Sequence, residues 1–251
     1  MLLTGGQPGS SAMSAHIDFD SNVFDSVMQY NYSHDNDGPG WLLHGNASNN
    51  TVRYNISVND GLKNGPSAIL DINGGGLSRV YNNIAIGPAA GFALAAYSYL
   101  PGSQVVNNIF ITTQLDSFGR WFGGGPFPGA DISNMDIRNN LYFNTVPGVA
   151  IRFTNNSFSL ADWQAQGHEL NTVIGDPRLL TAISSIMAAH DIVWDPTQHT
   201  GPQPAPADEK LRAGSPAFGV GAVIANNGGR DYWGNAISSP PDIGAYNGPP
   251  Q

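Results

Sequence analysis

The sequence predicts an all-β fold, a parallel solenoid in which short strands stack in successive coils. One short phrase recurs around an aligned asparagine, and the members of this series are Asn31, Asn55, Asn83, Asn108 and Asn140. Their intervals of 24, 28, 25 and 32 residues are too irregular for helical hairpins and natural for coils with variable loops. The composition agrees, because 31 glycines and 25 asparagines supply turn formers, while charged residues make only 12% of the chain.

Each phrase follows a β-rich piece, such as residues 27–29 or 51–53. A second apolar run comes later in four of the coils, at residues 41–43, 68–70, 92–94 and 149–151. Each coil is therefore predicted to hold at least two strands, separated by Gly, Asn or Asp turns. Asparagine tolerates a left-handed bend and can form a hydrogen-bonded ladder with identical neighbours, so we expect a structural role for the aligned asparagines.

The pattern changes near the middle of the chain and predicts one domain with three parts. Residues 1–14 are expected to be irregular, residues 15–156 to form the coils, and residues 157–251 to form the last coil and an irregular cap. Ser159 is a suitable N-cap for a short helix over residues 160–166, with Asp162 in its first turn and Gly167 at its end.

Composition also excludes several function classes. The net charge of −9, with only 10 basic residues, argues against a nucleic-acid partner. No run approaches 18 apolar residues, so no membrane span is expected. The chain has no cysteine, which rules out disulfides and thiol chemistry. An export signal is not recognisable at the start of this chain.

Several segments carry a resemblance to a known group: residues 18–20, 29–38, 53–57, 176–177, 214–217, 231–234 and 242–246. They resemble secreted right-handed parallel β-helix proteins, a group that includes pectate-lyase-like polysaccharide lyases and several glycoside hydrolases. The resemblance covers most of residues 15–246 and implies a right-handed parallel β-helix. The chain looks like the C-terminal part of a longer β-helix, so site residues from upstream coils are expected to be missing.

The same resemblance implies a function and a location. We expect a secreted or cell-surface protein that acts on an extracellular polysaccharide or oligosaccharide, as a polysaccharide lyase or a glycoside hydrolase. The group hosts many activities, so the resemblance is specific for the fold and not for the reaction. A non-catalytic carbohydrate-binding or adhesive module on the same scaffold is the alternative, and a trimeric phage or surface spike is a third.

The candidate catalytic carboxylates are Asp35 and Asp60. Alignment of the phrases places Asp35 opposite Asn59 and Asn36 opposite Asp60, so the two aspartates are expected to lie near each other on adjacent coils. A separation of about 5 Å is typical of retaining glycosidases, and like charges so close raise the pKa of one partner. The competing interpretation is that Asp and Asn at coil corners only cap turns.

Two further residues are candidates for proton transfer. His34 lies beside Asp35, and its imidazole could act as a general base or donate a hydrogen bond to a sugar. Lyases of the β-helix group often use Lys or Arg to remove the C5 proton of a uronate, which makes Lys63 the candidate base under that resemblance. A structural histidine at a turn and a solvated loop lysine are the alternatives.

A calcium site is predicted from Asp18, Asp20 and Asp37. Asp18 and Asp20 flank a core position on a strand, so both point to one face, and Asp18 is expected near His34 and Asp35. Carboxylates of this kind suit Ca²⁺, which would also offset the repulsion of an acidic polymer. Counting along the coils places Asp18, Leu43 and Asp71 in one column. Solvated aspartates on an outward face are the alternative.

Substrate binding is assigned to aromatic and polar residues of the same coils. Trp41, Trp121 and Phe122 are candidates for a sugar-stacking platform, and His44 and Asp71 for polar contacts. Aromatic residues of a solenoid usually lie in its core, which is the alternative for all three rings.

Overall fold

The computed structural model describes residues 2–4, 17–36, 38–61, 70–74, 76–88, 92–95, 102–113, 120–122, 135–153, 158–190 and 208–251. In this part of the chain the protein is mostly β, with three parallel sheets and two helices.

Sheet 1 has seven strands in the order β1 (Leu2–Thr4), β4 (Tyr32–His34), β7 (Ile56–Val58), β10 (Ile84–Gly87), β13 (Ile109–Thr112), β16 (Leu141–Asn144) and β17 (Val173–Ile174). Sheet 2 has five: β2 (Ile17–Phe19), β5 (Trp41–Gly45), β8 (Leu70–Gly74), β11 (Phe92–Ala95) and β14 (Arg120–Phe122). Sheet 3 also has five: β3 (Val27–Gln29), β6 (Asn50–Arg53), β9 (Ser78–Tyr81), β12 (Gln104–Val106) and β15 (Asp136–Arg138).

Up to β16, each sheet takes every third strand, so the chain passes through sheets 3, 1 and 2 in turn. We call three such consecutive strands a repeat. Each repeat thus has three strands, where the sequence predicted at least two per coil. Inward side chains of all three sheets, such as Val52, Trp41 and Phe110, belong to one apolar core.

The aligned asparagines form the predicted ladder. The Nδ2 groups of Asn31, Asn55, Asn83 and Asn108 each donate to Oδ1 of the next member, over 2.9, 3.0, 3.0 and 3.2 Å. The residue before each ladder asparagine has a left-handed φ of 50–59°, which turns the chain from sheet 3 into sheet 1. The last member, Asn140, donates to the carboxylate of Glu169, which ends the ladder.

Three predictions about the strands are wrong in detail. The segment predicted to be irregular at residues 1–14 contains β1, which pairs with β4. Residues 149–151 form no strand. Of the predicted run at 68–70, Leu70 begins β8, and residues 68 and 69 lie outside the described residues. The column of Asp18 contains Leu42 and Asp71, not Leu43, because the strands pair one residue away from the counted register. Such a slip reverses which face a side chain occupies.

Two helices follow the repeats: α1 (Leu160–Gln164) and α2 (Ile183–His190). Ser159 is the N-cap of α1 and forms a capping box with Asp162, as predicted, although α1 ends before residue 166. Trp163 packs against the common core, so α1 helps to close that core. The sequence interpretation did not include α2.

The chain after β17 lies against the outer face of sheet 1, not only over the last repeat as predicted. Ile84 and Ile109 of that face share a second apolar cluster with Ile243 and Tyr246. Side-chain amides of Asn82, Asn107 and Asn139 donate to backbone carbonyls of the tail at 2.9 Å each. Gly244 has a φ of 95°, and a Cβ there would lie 2.6 Å from Ile109 Cδ1, so only glycine permits this close approach.

Within the described residues, neither helix is long and apolar enough to cross a membrane.

Candidate functional site

A compact group of polar side chains lies where α2 ends beside the corner that follows β4. Tyr32 and His34 alternate with Ser33 along β4, so they point to the outer face of sheet 1. Helix α2 packs on that face through Ile186, and its last residue is His190. A strand and a distant helix thus bring two histidines together.

Asp35 is the centre of this group. Its Oδ2 atom lies 2.7 Å from His34 Nδ1 and 2.9 Å from His190 Nδ1, so both imidazoles contact one carboxylate oxygen. Its Oδ1 atom accepts a hydrogen bond from Asn59 Nδ2 over 2.7 Å. On the far side of His190, Nε2 lies 3.1 Å from the Tyr32 hydroxyl. We call His34, Asp35 and His190, with Tyr32 beside them, the His–Asp–His cluster.

The hydrogen bonds keep Asp35 ionised. Burial alone would raise the pKa of Asp35, but the bonds from His190, His34 and Asn59 outweigh it and lower the pKa to about 2. The carboxylate is therefore a permanent negative charge between two imidazoles at neutral pH. Both imidazole side chains are buried, at 3% and 1% exposure, whereas that of Asp35 is 18% exposed.

The hydrogen-bond pattern assigns the histidine protons. In the neutral form of each ring, Nδ1–H donates to Asp35 and Nε2 is left as an acceptor. His190 Nε2 then accepts from Tyr32, while His34 Nε2 is buried and has no hydrogen-bond partner among the described residues. His34 therefore presents a free lone pair on a ring that a carboxylate orients, which is the arrangement of a general base.

Glu209 adds a second acidic group next to Tyr32. Both of its carboxylate oxygens are buried and have no hydrogen-bond partner on another described residue. Burial chiefly raises the pKa of Glu209 to about 8, and Asp208 adds to the effect. Burial also raises the pKa of Tyr32 far above its ordinary value, with Glu209 as the next contributor. Tyr32 is thus a neutral hydrogen-bonding group at any ordinary pH.

Asp60 does not join the cluster, in contrast to the predicted pairing with Asp35. It is fully buried, and its carboxylate accepts hydrogen bonds from Ser33 Oγ, Ser57 Oγ, and both the backbone N–H and the Nδ2 of Asn36. Burial raises the pKa of Asp60, and these four donors only partly offset it. Asp60 points to the interior and stabilises the corner through these hydrogen bonds. Because it is fully buried, no substrate reaches it in this structure.

Asp18, Asp20 and His44 form a separate group on sheet 2. His44 Nδ1 lies 3.1 Å from Asp20 Oδ1; the His44 side chain is partly exposed and that of Asp20 is mostly exposed. Burial raises the pKa of Asp18 to about 6, with Asp20 adding to the shift and His44 opposing it. The predicted neighbours of Asp18 belong to another sheet: His34 ends β4 of sheet 1 and Asp35 follows it, whereas Asp18 lies in β2 of sheet 2.

Asp18 and Asp20, the described members of the predicted calcium site, are too few to form such a site alone. Asp18 and Asp20 supply carboxylate oxygens, but calcium requires six to eight oxygen ligands. Asp37, the third predicted ligand, lies outside the described residues.

The remaining predicted residues are placed as follows. Trp41 is fully buried in the common core, so its ring is not available for sugar stacking, and that prediction is wrong. Asp71 lies in β8, and Trp121 and Phe122 lie in β14, but their side chains are outside what the structure describes. Lys63 also lies outside the described residues.

Sequence reasoning missed His190 and Tyr32 as site residues. A signal for His190 was present: Ile183, Ile186, Met187 and His190 recur at helical spacing and put the histidine on the apolar face of α2. No sequence signal pairs that face with β4, because 155 residues separate His190 from Asp35.

No protein-family model matches the chain, and no curated protein matches it in sequence.

Proposed function

We propose that the chain is a right-handed parallel β-helix of the pectate-lyase-like group that acts on an extracellular polysaccharide. Three parallel sheets that take every third strand, with a stacked asparagine ladder at one corner, support this fold. The hand is the one that nearly all parallel crossover connections adopt. The polysaccharide follows from the resemblance of the repeats and of the tail segments.

The observation that carries the reaction is the His34–Asp35 pair. Asp35 holds the Nδ1 side of the His34 ring, so His34 Nε2 is free to take a proton. In a uronate polymer this base removes the C5 proton, the electron pair forms the C4–C5 double bond, and the C4–O bond breaks. The leaving oxygen then takes a proton from the imidazolium or from water, so the products are an unsaturated sugar and a new chain end.

We favour elimination over the hydrolysis mechanism that uses a pair of carboxyl groups. Hydrolysis of that kind needs two carboxyl groups on opposite sides of one glycosidic bond. Asp60, the second candidate, is sealed in the interior by Ser33, Ser57 and Asn36. Among the described residues, the remaining proton-transfer groups at the corner are His34, Asp35 and His190.

A non-catalytic carbohydrate-binding module is the second candidate function. The observation in its favour is the burial of both histidines, which keeps the free His34 nitrogen from solvent. Elimination therefore requires that the residues which bury the His34 ring move aside when a sugar binds. A binding module has no such requirement.

The test is a screen of acidic plant and algal polysaccharides, with and without calcium. Ultraviolet absorbance reports unsaturated products, and reducing ends report hydrolysis. Asp35→Asn and His34→Gln should each lower elimination by about 10²–10⁴-fold, the range expected for loss of a general base or of its orienting group. Asp20→Asn is the matched control, because it alters an exposed carboxylate that also contacts a histidine.

The variants separate the rival functions. Near wild-type elimination by Asp35→Asn and His34→Gln contradicts the assignment of the base, and a loss confined to Lys63→Ala would make Lys63 the base instead. If no polysaccharide is cleaved but one is retained on affinity gels, the binding module replaces the enzyme.

A further inference from the structure

We propose that His34, Asp35 and His190 form a binding site for one divalent transition-metal ion, with Zn²⁺ as the reference metal. The proposal does not depend on the polysaccharide reaction, because metal binding is measured without any substrate. It also differs from the calcium site predicted at Asp18, Asp20 and Asp37, which involves other residues and another class of metal.

The ligand atoms already converge. One nitrogen of each imidazole and one oxygen of Asp35 all lie within 4.8 Å of one another. Ligands of a tetrahedral zinc ion with bonds of about 2.0 Å are about 3.3 Å apart. The two nitrogens now lie 2.7 and 2.9 Å from Asp35 Oδ2, so entry of the metal widens each contact by roughly 0.5 Å.

The donor set selects the class of metal. Two imidazole nitrogens and one carboxylate oxygen suit zinc and neighbouring transition metals, whereas calcium and magnesium prefer sites built from oxygen alone. Three protein ligands leave a fourth position for water or another small ligand, as in catalytic zinc sites.

The protons can rearrange without a change in the charge of the imidazoles. When the metal replaces the proton on Nδ1, each neutral ring carries its proton on Nε2. For His190, Nε2–H then donates to the Tyr32 hydroxyl oxygen, which now accepts instead of donating. Tyr32 can therefore orient the His190 ring with and without the metal, the role of an outer-shell partner.

The protein also fixes the ligands before metal binding. His34 and Asp35 are adjacent at the end of β4, and His190 is held by the packing of α2 on sheet 1. Both histidines are almost completely buried, which limits competition from water. Metal binding would link α2 to the repeats, so the loaded protein should unfold at a higher temperature.

The test uses the full chain after treatment with a chelator, titrated with Zn²⁺ in a calorimeter and with Co²⁺ in an absorbance cell. We expect one equivalent of either metal, with visible Co²⁺ bands that report a site containing nitrogen ligands. His190→Ala and Asp35→Asn should each weaken Zn²⁺ binding by more than the roughly 10–100-fold typical of losing an outer-shell partner.

Two further variants keep the test decisive. Tyr32→Phe should weaken Zn²⁺ binding by about 10–100-fold, because it removes only the orienting hydroxyl. His44→Ala removes a partly exposed imidazole beside Asp20 and should leave Zn²⁺ binding unchanged. If His190→Ala fails to fold, Asp35→Asn and Tyr32→Phe carry the same comparison.

The proposal is overturned if the wild type binds no stoichiometric metal, or if His44→Ala loses as much affinity as His190→Ala. With zinc on His34 Nδ1, the Nε2 atom carries a proton and cannot act as the base, so zinc should inhibit elimination. Elimination without zinc binding would defeat the metal site alone. Zinc binding without cleavage of any polysaccharide would defeat the proposed reaction alone.

Discussion

The corners after β4 and β7 carry the same two residue types in opposite order, and the two aspartates have opposite roles. After β4 the order is Asp35 then Asn36, and after β7 it is Asn59 then Asp60. The first residue of each corner has a left-handed φ, 58° and 57°, and its side chain lies on the outer side. The second points inward, where Asn36 donates to Asp60. Position within the corner, not residue type, decides what an aspartate does here.

The surroundings of the two carboxylates explain the difference in their pKa values. Asp60 is completely buried among hydroxyl and amide donors, so desolvation dominates and raises its pKa. Asp35 is partly exposed and touches two imidazoles, so hydrogen bonding dominates and lowers its pKa to about 2. An outer aspartate is therefore available for charge-dependent chemistry, while an inner aspartate stabilises the fold.

The largest expected effect is on stability and comes from Asp60→Ala. The substitution leaves the donors of Ser33, Ser57 and Asn36 without an acceptor. We expect a loss of roughly 3–5 kcal/mol, because each buried donor left unpaired costs about 1–3 kcal/mol. Urea unfolding measures the loss. Asp35→Asn is the comparison and should cost less than about 1.5 kcal/mol. Equal losses from both variants would remove the distinction between the two positions.

The next effect is a pH dependence from Glu169, another inner carboxylate. Burial chiefly raises its pKa from 4.5 to about 7, against hydrogen bonds from Thr172, Tyr142 and Asn140. Because the folded-state pKa is the higher one, the stabilisation is complete below about pH 4.5 and is lost as the pH rises through about 7. The loss is on the order of 3 kcal/mol.

Glu169→Gln provides the control for this pH dependence, because the amide does not titrate. The unfolding free energy of the wild type should fall more between about pH 4.5 and 8 than that of the variant. Subtracting the unfolding free energy of the variant from that of the wild type at each pH removes the contribution of Glu209, which titrates in both proteins. Parallel pH profiles of the two proteins would show that the pKa of Glu169 is not raised in the folded state.

A smaller effect separates inner from outer asparagines. Asn83→Ala removes a buried ladder member that bonds to both neighbours, and we expect a loss of about 1–3 kcal/mol. Asn46 also bonds to an asparagine one repeat away, Asn22, but it is exposed. Thermal unfolding of Asn46→Ala should therefore be close to that of the wild type, and similar midpoints for both variants would contradict a stabilising ladder.

The smallest effect is expected from Asn59→Gly at the outer position. Glycine tolerates the left-handed backbone, so the variant removes the hydrogen bond to Asp35 and the longer one, 3.4 Å, to the His190 carbonyl oxygen. We expect a cost of about 0.5–1.5 kcal/mol. The pKa of Asp35, followed by NMR, should rise because one of its donors is lost. An unchanged pKa would show that the two histidines alone set the charge of Asp35.

Parts of the molecule were predictable because their causes are local. The asparagine ladder repeats at every turn from sheet 3 into sheet 1, and the capping box of α1 lies within four residues. The opposition of Asp35 to Asn59 and of Asn36 to Asp60 was predicted as well. Leu43 was predicted opposite Asp18, but Leu42 takes that position. This one-residue error arose where variable loops, rather than a repeated phrase, set the register of the strands.

The repeating strands, their asparagine corners and the acidic character of the first repeats follow from the amino-acid sequence alone, since they depend on residue types at short spacing. The placement of the two aspartates, one between two histidines and the other in the interior, depends on tertiary contacts. The packing of α2 on sheet 1 brings His190 to Asp35, and the inward turn at Asp60 removes that carboxylate from solvent. Both outcomes depend on contacts and burial between distant parts of the chain, which no local spacing encodes.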